Sequence, residues 1–156
     1  MIQHNFDPVY NEHSKILILG SFPSVKSREA AFFYGHPQNR FWPLLARLLK
    51  EEKPETIEEK KAMILKHGIA LYDAAEACDI TGSSDVSMKN ITPSDLSPIL
   101  ETGDIKAIFC NGRKSYDIVT KKMKREAHLL PSTSPANASY SMERLEEQWK
   151  VILEYL

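Results

Sequence analysis

The chain has 156 residues, of which 42% are hydrophobic and 26% are charged, and its formal net charge is −1. This length and composition are typical of one globular domain with a single sizeable core. The balanced charge excludes a uniformly basic surface, so any polyanionic partner must be bound by a local basic patch.

The amino terminus and the cysteines indicate the cellular setting. No basic region followed by an apolar run opens the chain, and the longest clearly aliphatic run has four residues, so we expect neither a signal peptide nor a membrane span. Cys78 and Cys110 are isolated, and neither they nor the histidines show metal-ligand spacing. We therefore expect a cytoplasmic protein without a disulfide, a structural zinc ion or an iron–sulfur cluster.

The first part of the chain predicts an extended arm, a buried strand and a tight loop. Residues 1–14 are polar, and the aliphatic run Ile16–Leu19 is typical of a buried strand. The strand should end at Gly20-Ser21-Phe22-Pro23-Ser24, because Gly and Pro both interrupt regular backbone structure.

The later elements follow from helical periodicity, capping residues and short apolar runs. In chain order we predict a helix from Phe41 to Leu49, a helix from the capping box Thr56–Glu59 to about His67, a strand at Ile69–Asp73, a polar loop from Thr81 to Asn90, a helix that starts at Thr92–Asp95 and ends near Gly103, a strand at Ile105–Cys110, a helix from Gly112 to about Lys124, a short strand at Leu129–Leu130, and a last helix capped by Ser141.

Strands and helices thus alternate along the chain. This alternation predicts a parallel sheet with helices on both faces, in one three-layer α/β/α domain that spans residues 1–156. Because parallel strands end at the same edge of a sheet, the loops at 20–24, after Asp73, at 111–112 and at 131–138 should rim one crevice.

Aromatic residues fill the loop that follows the first strand. Phe32, Phe33 and Tyr34 precede Gly35-His36-Pro37, and Asn39-Arg40-Phe41-Trp42 comes next. One interpretation is a surface loop held together by an aromatic cluster. The other is a ligand-binding loop, because long loops in compact domains are usually functional or disordered and the aromatic density argues against disorder.

A basic run and a serine-rich loop both suit phosphate groups. Six basic residues lie between Arg113 and Arg125 against one acid, Asp117, which is typical of either a solvated helix face or a polyanion-binding patch. The hydroxyl and N–H groups of Ser132-Thr133-Ser134 suit phosphate oxygens. With aromatic residues for stacking, these features predict a nucleobase pocket, whereas glycine-rich phosphate motifs and the GxSxG motif of serine hydrolases are absent.

Three segments together resemble the uracil-DNA glycosylase superfamily: GSFPS at 20–24, FFYGHPQNRFW at 32–42 and LPSTSPANA at 130–138. The string His-Pro-x-Asn-Arg-Phe-Trp is similar to the mismatch-specific uracil/thymine branch. The full combination, with GSSDVSMKNITPSDL at 82–96, is most similar to the hypoxanthine-DNA glycosylase (deoxyinosine glycosylase) branch. The resemblance covers roughly Pro8 to Leu156.

The resemblance implies a three-layer α/β/α sandwich around a mainly parallel, four-stranded sheet. It also implies a monomeric, monofunctional enzyme that hydrolyses the N-glycosidic bond of a deaminated base in double-stranded or single-stranded DNA, without a metal or cofactor. The best-known relatives carry a water-directing Asp or Asn where this chain has Phe22, and a His or Met where it has Leu130. In the hypoxanthine branch the catalytic residue corresponds to Asn39.

The resemblance and the basic run together give the remaining candidate site residues. The base pocket is expected to contain Gly20, Ser21, Phe22, Pro23, Ser24, Tyr34 and His36, with Tyr34 stacking on the flipped base. The DNA-binding residues are expected to be Ser132, Thr133, Ser134, Ala136, Asn137, Arg113, Lys114, Lys121 and Lys122, with Ala136 or Asn137 as the wedge in the base stack.

Asn39 is uncharged, so its expected role is to orient water, although Asn also favours helix caps. Hypoxanthine is the expected lesion, with uracil weaker or absent, because Ser24 stands where uracil-specific relatives have a Tyr and Leu130 would make an apolar floor. Two alternatives stay open. One is a nucleoside or nucleotide hydrolase that acts on free small molecules, and the other is an inactive DNA-binding relative, an alternative that Phe22 keeps open.

Overall fold

The computed structural model describes residues 1–156 and shows strands and helices in alternation. In chain order these are β1 (Ile2–Gln3), β2 (Ile16–Gly20), α1 (Val25–Ala30), α2 (Phe41–Leu49), α3 (Ile57–Lys66), β3 (Ile69–Asp73), β4 (Ala75–Asp79), β5 (Lys89–Pro93), α4 (Ser97–Thr102), β6 (Ala107–Asn111), α5 (Arg113–Asp117), β7 (His128–Leu130) and α6 (Met142–Trp149). Short 3₁₀ or π segments lie at Asp85–Ser87, Ile118–Lys122 and Lys150–Tyr155. None of the helices combines the length and the apolar character that a membrane crossing requires.

A four-stranded sheet in the order β3-β2-β6-β7 forms the middle layer, and all its strands are parallel. Ile16 of β2 lies opposite Ile69 of β3 on one side and Ala107 of β6 on the other. β2 is buried along its whole length, which explains its continuous aliphatic sequence, because a parallel strand covered on both faces has no solvent side. The predicted parallel sheet is confirmed.

Helices cover both faces of this sheet and enclose two apolar clusters. Ile16 and Ile18 pack on the side of α2, α3 and α6. Leu17 and Leu19 pack on the other side, with α4 and the helical segment that continues α5. Alternate residues of β2 therefore face opposite layers, as strand geometry requires. The predicted three-layer α/β/α sandwich is confirmed.

The sequence patterns do not predict the second sheet, which is antiparallel. In it β4 pairs with β1 on one side and with β5 on the other. Only Ala74 separates β3 from β4, so the loop expected after Asp73 is instead a sharp turn into a strand. The expected extended arm docks on this sheet, because Ile2 lies opposite Cys78 in the β1–β4 ladder.

Capping residues set the helix starts, with one correction. Thr56 Oγ1 accepts the Glu59 N–H at 3.0 Å and Glu59 Oε1 accepts the Thr56 N–H at 3.0 Å, which is the predicted capping box of α3. The predicted helix start at Thr92 is wrong, because Thr92 belongs to β5. The helix α4 begins at Ser97, whose N–H donates to Asp95 Oδ1 at 3.0 Å.

Candidate active site

A cleft of about 540 Å³ opens at the carboxyl edge of the central sheet. Its walls come from the loop after β2, from residues 33–39, from the ends of β3 and β6, and from the loops at 81–85 and 132–136. Open α/β sheets bind ligands at this edge. A larger open groove of about 860 Å³ lies beside Lys106 and Ala107, at the opposite end of β6, and contains none of the predicted site residues.

Most of the predicted site residues line this cleft: Gly20, Ser21, Phe22, Pro23, Ser24, Tyr34, His36, Asn39, Ser132, Thr133, Ser134 and Ala136. The remaining predicted residues lie outside its lining: Asn137, Arg113, Lys114, Lys121 and Lys122. Asp73 and Asp85 line the cleft as well, although the sequence motifs do not indicate them as site residues.

Gly20 lets the first loop pass close to the neighbouring strand. A Cβ at this position would lie 2.5 Å from Asp73 Oδ1 and 3.0 Å from Tyr34 Oη, so a side chain has no room here. Further along the loop, Ser24 Oγ accepts the Ser27 N–H at 3.1 Å and caps α1. Ser24 is therefore both a cleft residue and a helix cap.

Asn39 is held by two hydrogen bonds through one atom. Its Oδ1 accepts the Phe41 N–H at 2.9 Å and the Thr133 hydroxyl at 2.9 Å. Because a backbone N–H only donates, the atom that it meets must be the amide oxygen. The capping role considered for Asn39 is thus present at the start of α2. The Nδ2 group makes no hydrogen bond within the protein, so it is available to a ligand or a water molecule in the cleft.

A buried relay fixes Asn39 from behind. Thr133 is fully buried, its N–H donates to Asn111 Oδ1 at 3.0 Å, and Asn111 Nδ2 donates to Thr133 Oγ1 at 3.0 Å. The Thr133 hydroxyl in turn donates to Asn39. The Thr133 side chain is therefore not available to a phosphate group, in contrast to the expectation from the sequence, and it supports Asn39 instead.

Arg40 joins the two loops that carry the motifs. Its guanidinium donates to the carbonyl groups of Ser134 at 2.9 Å, of Asn137 at 3.1 Å and of Tyr140. Its own N–H donates to the Thr133 carbonyl at 3.1 Å. These donors are all used in hydrogen bonds to the backbone of the protein. Arg40 therefore stabilises the conformation of the serine-rich loop. The sequence signal for it was its place beside Asn39 in the motif.

Serine hydroxyls on the rim are oriented by the backbone. Ser132 Oγ accepts the Ser134 N–H at 3.1 Å, and Ser134 Oγ accepts the Ala136 N–H at 3.1 Å. The hydroxyl hydrogens make no hydrogen bond within the protein, so they can donate to an anion at the rim.

The wall formed by β3 contains a buried carboxylate–imidazole pair. His4 Nε2 donates to Asp73 Oδ2 at 2.8 Å, and the two side chains are only 1% and 5% exposed. Asp73 is the last residue of β3, so a carboxylate at the end of a buried strand was the signal that sequence reasoning missed. His4 lies 69 residues away along the chain, and no sequence pattern connects the two.

Tyr34 lies beside this pair with an unsatisfied hydroxyl group. Its ring stacks on Phe41 at a centroid distance of 4.0 Å. Tyr34 Oη is buried and lies near the Asn111 side chain, but it makes no hydrogen bond of good geometry. Burial, and then the nearby Asp73 carboxylate, raise the pKa of Tyr34 above its ordinary value, so the hydroxyl keeps its proton. An unsatisfied buried polar group in a native structure calls for an explanation, and a ligand is one.

The loop 81–85 forms the wall opposite β3 and is tied to the first loop. Ser21 Oγ donates to Asp85 Oδ1 at 2.6 Å, and Ser83 Oγ accepts the Val25 N–H at 3.0 Å. Partial burial of the carboxyl raises the pKa of Asp85, and the Ser21 hydrogen bond opposes that rise.

The predicted basic residues differ in their distance from the cleft. Arg113 and Lys114 begin α5 directly after Gly112, which packs against Ser132 of the rim. Lys121 lies in the following π segment, about 12 Å further along the helix at about 1.5 Å per residue. Arg113 and Lys114 are therefore better placed for a phosphate group near the cleft.

Comparison with known proteins agrees with this geometry. The family model for the uracil DNA glycosylase superfamily matches residues 8–156. A protein from Methanosarcina acetivorans named hypoxanthine DNA glycosylase is 35% identical over 159 residues, which cover 99% of this chain and 100% of the relative. One of the same name from Methanosarcina barkeri is 33% identical over 141 residues, which cover 88% of this chain and 89% of the relative.

A solved structure extends the likeness to three dimensions. The solution NMR structure of a protein from Methanosarcina acetivorans, proposed to be a uracil DNA glycosylase, superposes with a TM-score of 0.81 at 33% identity. The superposition covers 97% of this chain and 96% of that one. The chain described here therefore belongs to the uracil DNA glycosylase superfamily.

Proposed function

We propose that this protein is a monofunctional DNA glycosylase of base excision repair that releases a deaminated base, above all hypoxanthine, from DNA. The observation that carries the proposal is a cleft, lined by Phe22 and Tyr34 among others, in which two hydrogen bonds fix Asn39 and leave its amide nitrogen unpaired. Full-length relatives named hypoxanthine DNA glycosylase support the same function.

The target base must leave the DNA stack before it can enter the cleft. Flipping costs a few kcal/mol of unstacking, and stacking on an aromatic side chain recovers about 1–3 kcal/mol. Phe22 is largely buried and lines the cleft, so its ring is a candidate for this contact. The cleft volume of about 540 Å³ leaves room for a purine.

Cleavage of the bond needs a positioned water molecule and a stabilised leaving group. As the C1′–N bond breaks, its electron pair leaves with the base and the sugar becomes cationic. Water then adds to C1′, and the proton that it loses ends on the base. Backbone N–H groups of residues 20–24 suit the anionic base. Asn39 Nδ2 would donate to the water oxygen and fix its position without acting as a base. Because Phe22 offers no polar group, directing the water falls to Asn39.

Phosphate contacts would hold the DNA at the rim of the cleft. Ser132 and Ser134 offer hydroxyl hydrogens, and Arg113 and Lys114 add positive charge close by, which suits the phosphate backbone. Lys121 and Lys122 would extend this basic surface along the helix.

Two neighbouring residues are candidates for the wedge. Ala136 is exposed at the cleft edge, and Asn137 follows it. We propose a monomer that acts on double-stranded or single-stranded DNA in the cytoplasm, where the free thiols of Cys78 and Cys110 stay reduced.

The walls of the cleft bear on the choice of base. Ser24 leaves space where uracil-specific relatives have a Tyr, which favours a purine. The expected apolar floor at Leu130 needs correction, because Leu130 is buried in the core beside α2 and α6 and does not line the cleft. Asp73 and Asn111 make the cleft wall polar instead, and polar walls discriminate bases by their hydrogen-bonding edges.

Base release from matched DNA duplexes tests the proposal. Labelled duplexes with inosine, uracil, xanthine or adenine at one position are incubated in single-turnover conditions, treated with alkali and analysed for strand breaks. We expect breaks only after alkali, fastest with inosine and absent with adenine. Faster release of uracil than of hypoxanthine would overturn the proposed preference. Ser24→Tyr should slow the inosine reaction selectively, with Ser24→Thr as a control that keeps the cap.

Phe22 favours one other candidate function, that of an inactive DNA-binding relative. A folded protein that binds the lesion duplexes but yields no strand breaks with any of the four bases would support that candidate.

A further inference from the structure

The amino-terminal arm places a side chain against Asp73, a residue of the cleft wall. The His4 N–H donates to the Glu76 carbonyl at 2.8 Å, beside the β1–β4 ladder, which fixes the arm. The His4 ring packs against Phe6 and Tyr72, with centroid distances of 4.5 Å and 4.6 Å. In this setting His4 Nε2 reaches Asp73 Oδ2 at 2.8 Å. Aromatic contacts therefore help to hold the imidazole against the carboxylate.

The other oxygen of the same carboxylate is uncommitted. Asp73 Oδ1 accepts no hydrogen bond from the protein, and Asp73 lines the cleft. Tyr34 Oη is likewise without a partner. Both atoms lie next to Gly20, because a Cβ there would be 2.5 Å from Asp73 Oδ1 and 3.0 Å from Tyr34 Oη. An uncommitted acceptor and a buried, unpaired donor thus lie next to Gly20 in the cleft wall.

The hydrogen-bonding pattern of this pair matches one edge of hypoxanthine. Hypoxanthine presents a ring N1–H donor beside the O6 acceptor, whereas adenine presents an amino donor beside a bare ring nitrogen. Against a carboxylate, the adenine ring nitrogen would place two acceptors face to face and leave buried polar groups unpaired, which is a strong source of selectivity. The raised pKa of Tyr34 keeps its hydroxyl available as the donor.

We propose that Asp73 Oδ1 and Tyr34 Oη are the specificity-determining pair that accepts from N1–H and donates to O6 of the flipped base, and that His4 is the positioning residue that fixes Asp73. This inference rests on the proposed function and adds to it a hydroxyl role for Tyr34 in place of a stacking role. It also makes the amino-terminal arm part of the site. Without the imidazole, the buried carboxylate would lose its partner and its fixed orientation.

Binding to uncleavable DNA separates recognition of the base from folding. The first probe is a duplex with a 2′-fluoroarabino hypoxanthine nucleotide, and the second is the same duplex with an abasic analogue at that position. We expect the wild type to bind the first more tightly. In Asp73→Ala and in Tyr34→Phe, the preference for the hypoxanthine duplex should be at least ~10-fold smaller than in the wild type, which is the scale of leaving one buried partner unpaired. The affinity for the abasic duplex should be unchanged. A preference that stays as in the wild type, or an equal loss of affinity for both duplexes, would overturn the assignment of this pair.

Variants at His4 test the positioning role. His4→Ala should lower the preference for the hypoxanthine duplex and the single-turnover release of hypoxanthine by about 10-fold. His4→Gln retains a side-chain donor and should recover both to within ~3-fold of the wild type. If His4→Gln is as impaired as His4→Ala, or if both behave as the wild type, the positioning role is wrong. If the wild type itself releases no hypoxanthine, the proposed function fails first; if it does and these variants match it, only the inference fails.

Discussion

At the scale of single residues, Asn39 combines a structural and a proposed chemical role in different atoms. Its Oδ1 is used by Phe41 and Thr133, and only its Nδ2 faces the cleft unpaired. Asn39→Ala should lower the single-turnover rate at least ~10²-fold, the scale of removing one preorganised polar group, and should leave DNA binding largely intact.

A matched variant separates the two roles of Asn39. Asn39→Asp keeps an oxygen for the Phe41 N–H and the Thr133 hydroxyl, so the start of α2 should stay as stable as in the wild type. It removes the amide donor, and we expect a rate loss close to that of Asn39→Ala. Rates near the wild-type value in both folded variants would show that Asn39 is only a helix cap.

The Tyr34 hydroxyl should lower the stability of the folded protein while it serves recognition of the base. Its hydroxyl is buried without a partner, which costs free energy in the folded state. Tyr34→Phe should therefore raise the free energy of unfolding, by about 1 kcal/mol, while base release slows. Urea denaturation of both proteins checks the first part. A clear loss of stability in Tyr34→Phe would mean that the hydroxyl has a partner in the folded protein.

Asp85 gives a prediction about pH. Burial raises its folded-state pKa, so folding favours the protonated form. That stabilising contribution is complete below the unfolded-state pKa and is lost as the pH rises through the folded-state pKa. Asp85→Asn keeps an acceptor for Ser21 and does not ionise. The variant should thus gain stability relative to the wild type as the pH is raised from about 4, the ordinary pKa of Asp, towards neutrality. A difference that is constant or that shrinks over this range contradicts the prediction.

At the scale of elements, the strands of the parallel sheet were predictable and those of the antiparallel sheet were not. The predicted strand Ile69–Asp73 has the same bounds as β3. All its residues except Tyr72 are buried, because the strand is covered on both faces, and this burial accounts for its largely apolar sequence. The strands β1, β4 and β5 contain charged or polar residues, and β1 pairs with a strand that is distant in sequence. Only tertiary contacts select them, so Thr92 and Pro93 could equally indicate a helix start.

The basic segment provides a prediction with an internal control. Arg113→Glu with Lys114→Glu should weaken binding to any duplex, whatever the lesion, because phosphate contacts position rather than specify. The slope of log affinity against log salt should fall by about 2 if both contacts are lost. Lys121→Glu with Lys122→Glu should weaken binding less, since these residues lie further along the helix. Equal affinity in both double variants and the wild type would indicate a solvated helix face only.

At the scale of the whole molecule, the sheet collects loops from distant parts of the chain into one cleft. The motifs on the two long loops could be assigned to the site from the sequence, because each follows a recognisable strand. His4 could not, because it meets Asp73 only through the docking of the amino-terminal arm on the antiparallel sheet, and Asp85 could not, because it lies in the loop between β4 and β5. Asp73 ends a strand of the parallel sheet, but it belongs to none of the motifs. Arg40 stands beside Asn39 in the motif, but its structural role could not be predicted, because its partners are backbone carbonyl groups, which leave no mark on the sequence.

In the proposed function, one cleft receives the flipped nucleotide, recognises its base and hydrolyses its N-glycosidic bond. The most direct test is to identify the products of a single turnover by mass spectrometry, with the folded, purified protein and a duplex that contains one inosine. The account predicts free hypoxanthine and an abasic strand that stays unbroken until alkali is added, with no hypoxanthine from the Asn39→Ala variant. Intact inosine duplex after incubation with wild-type protein that demonstrably binds it would contradict the account.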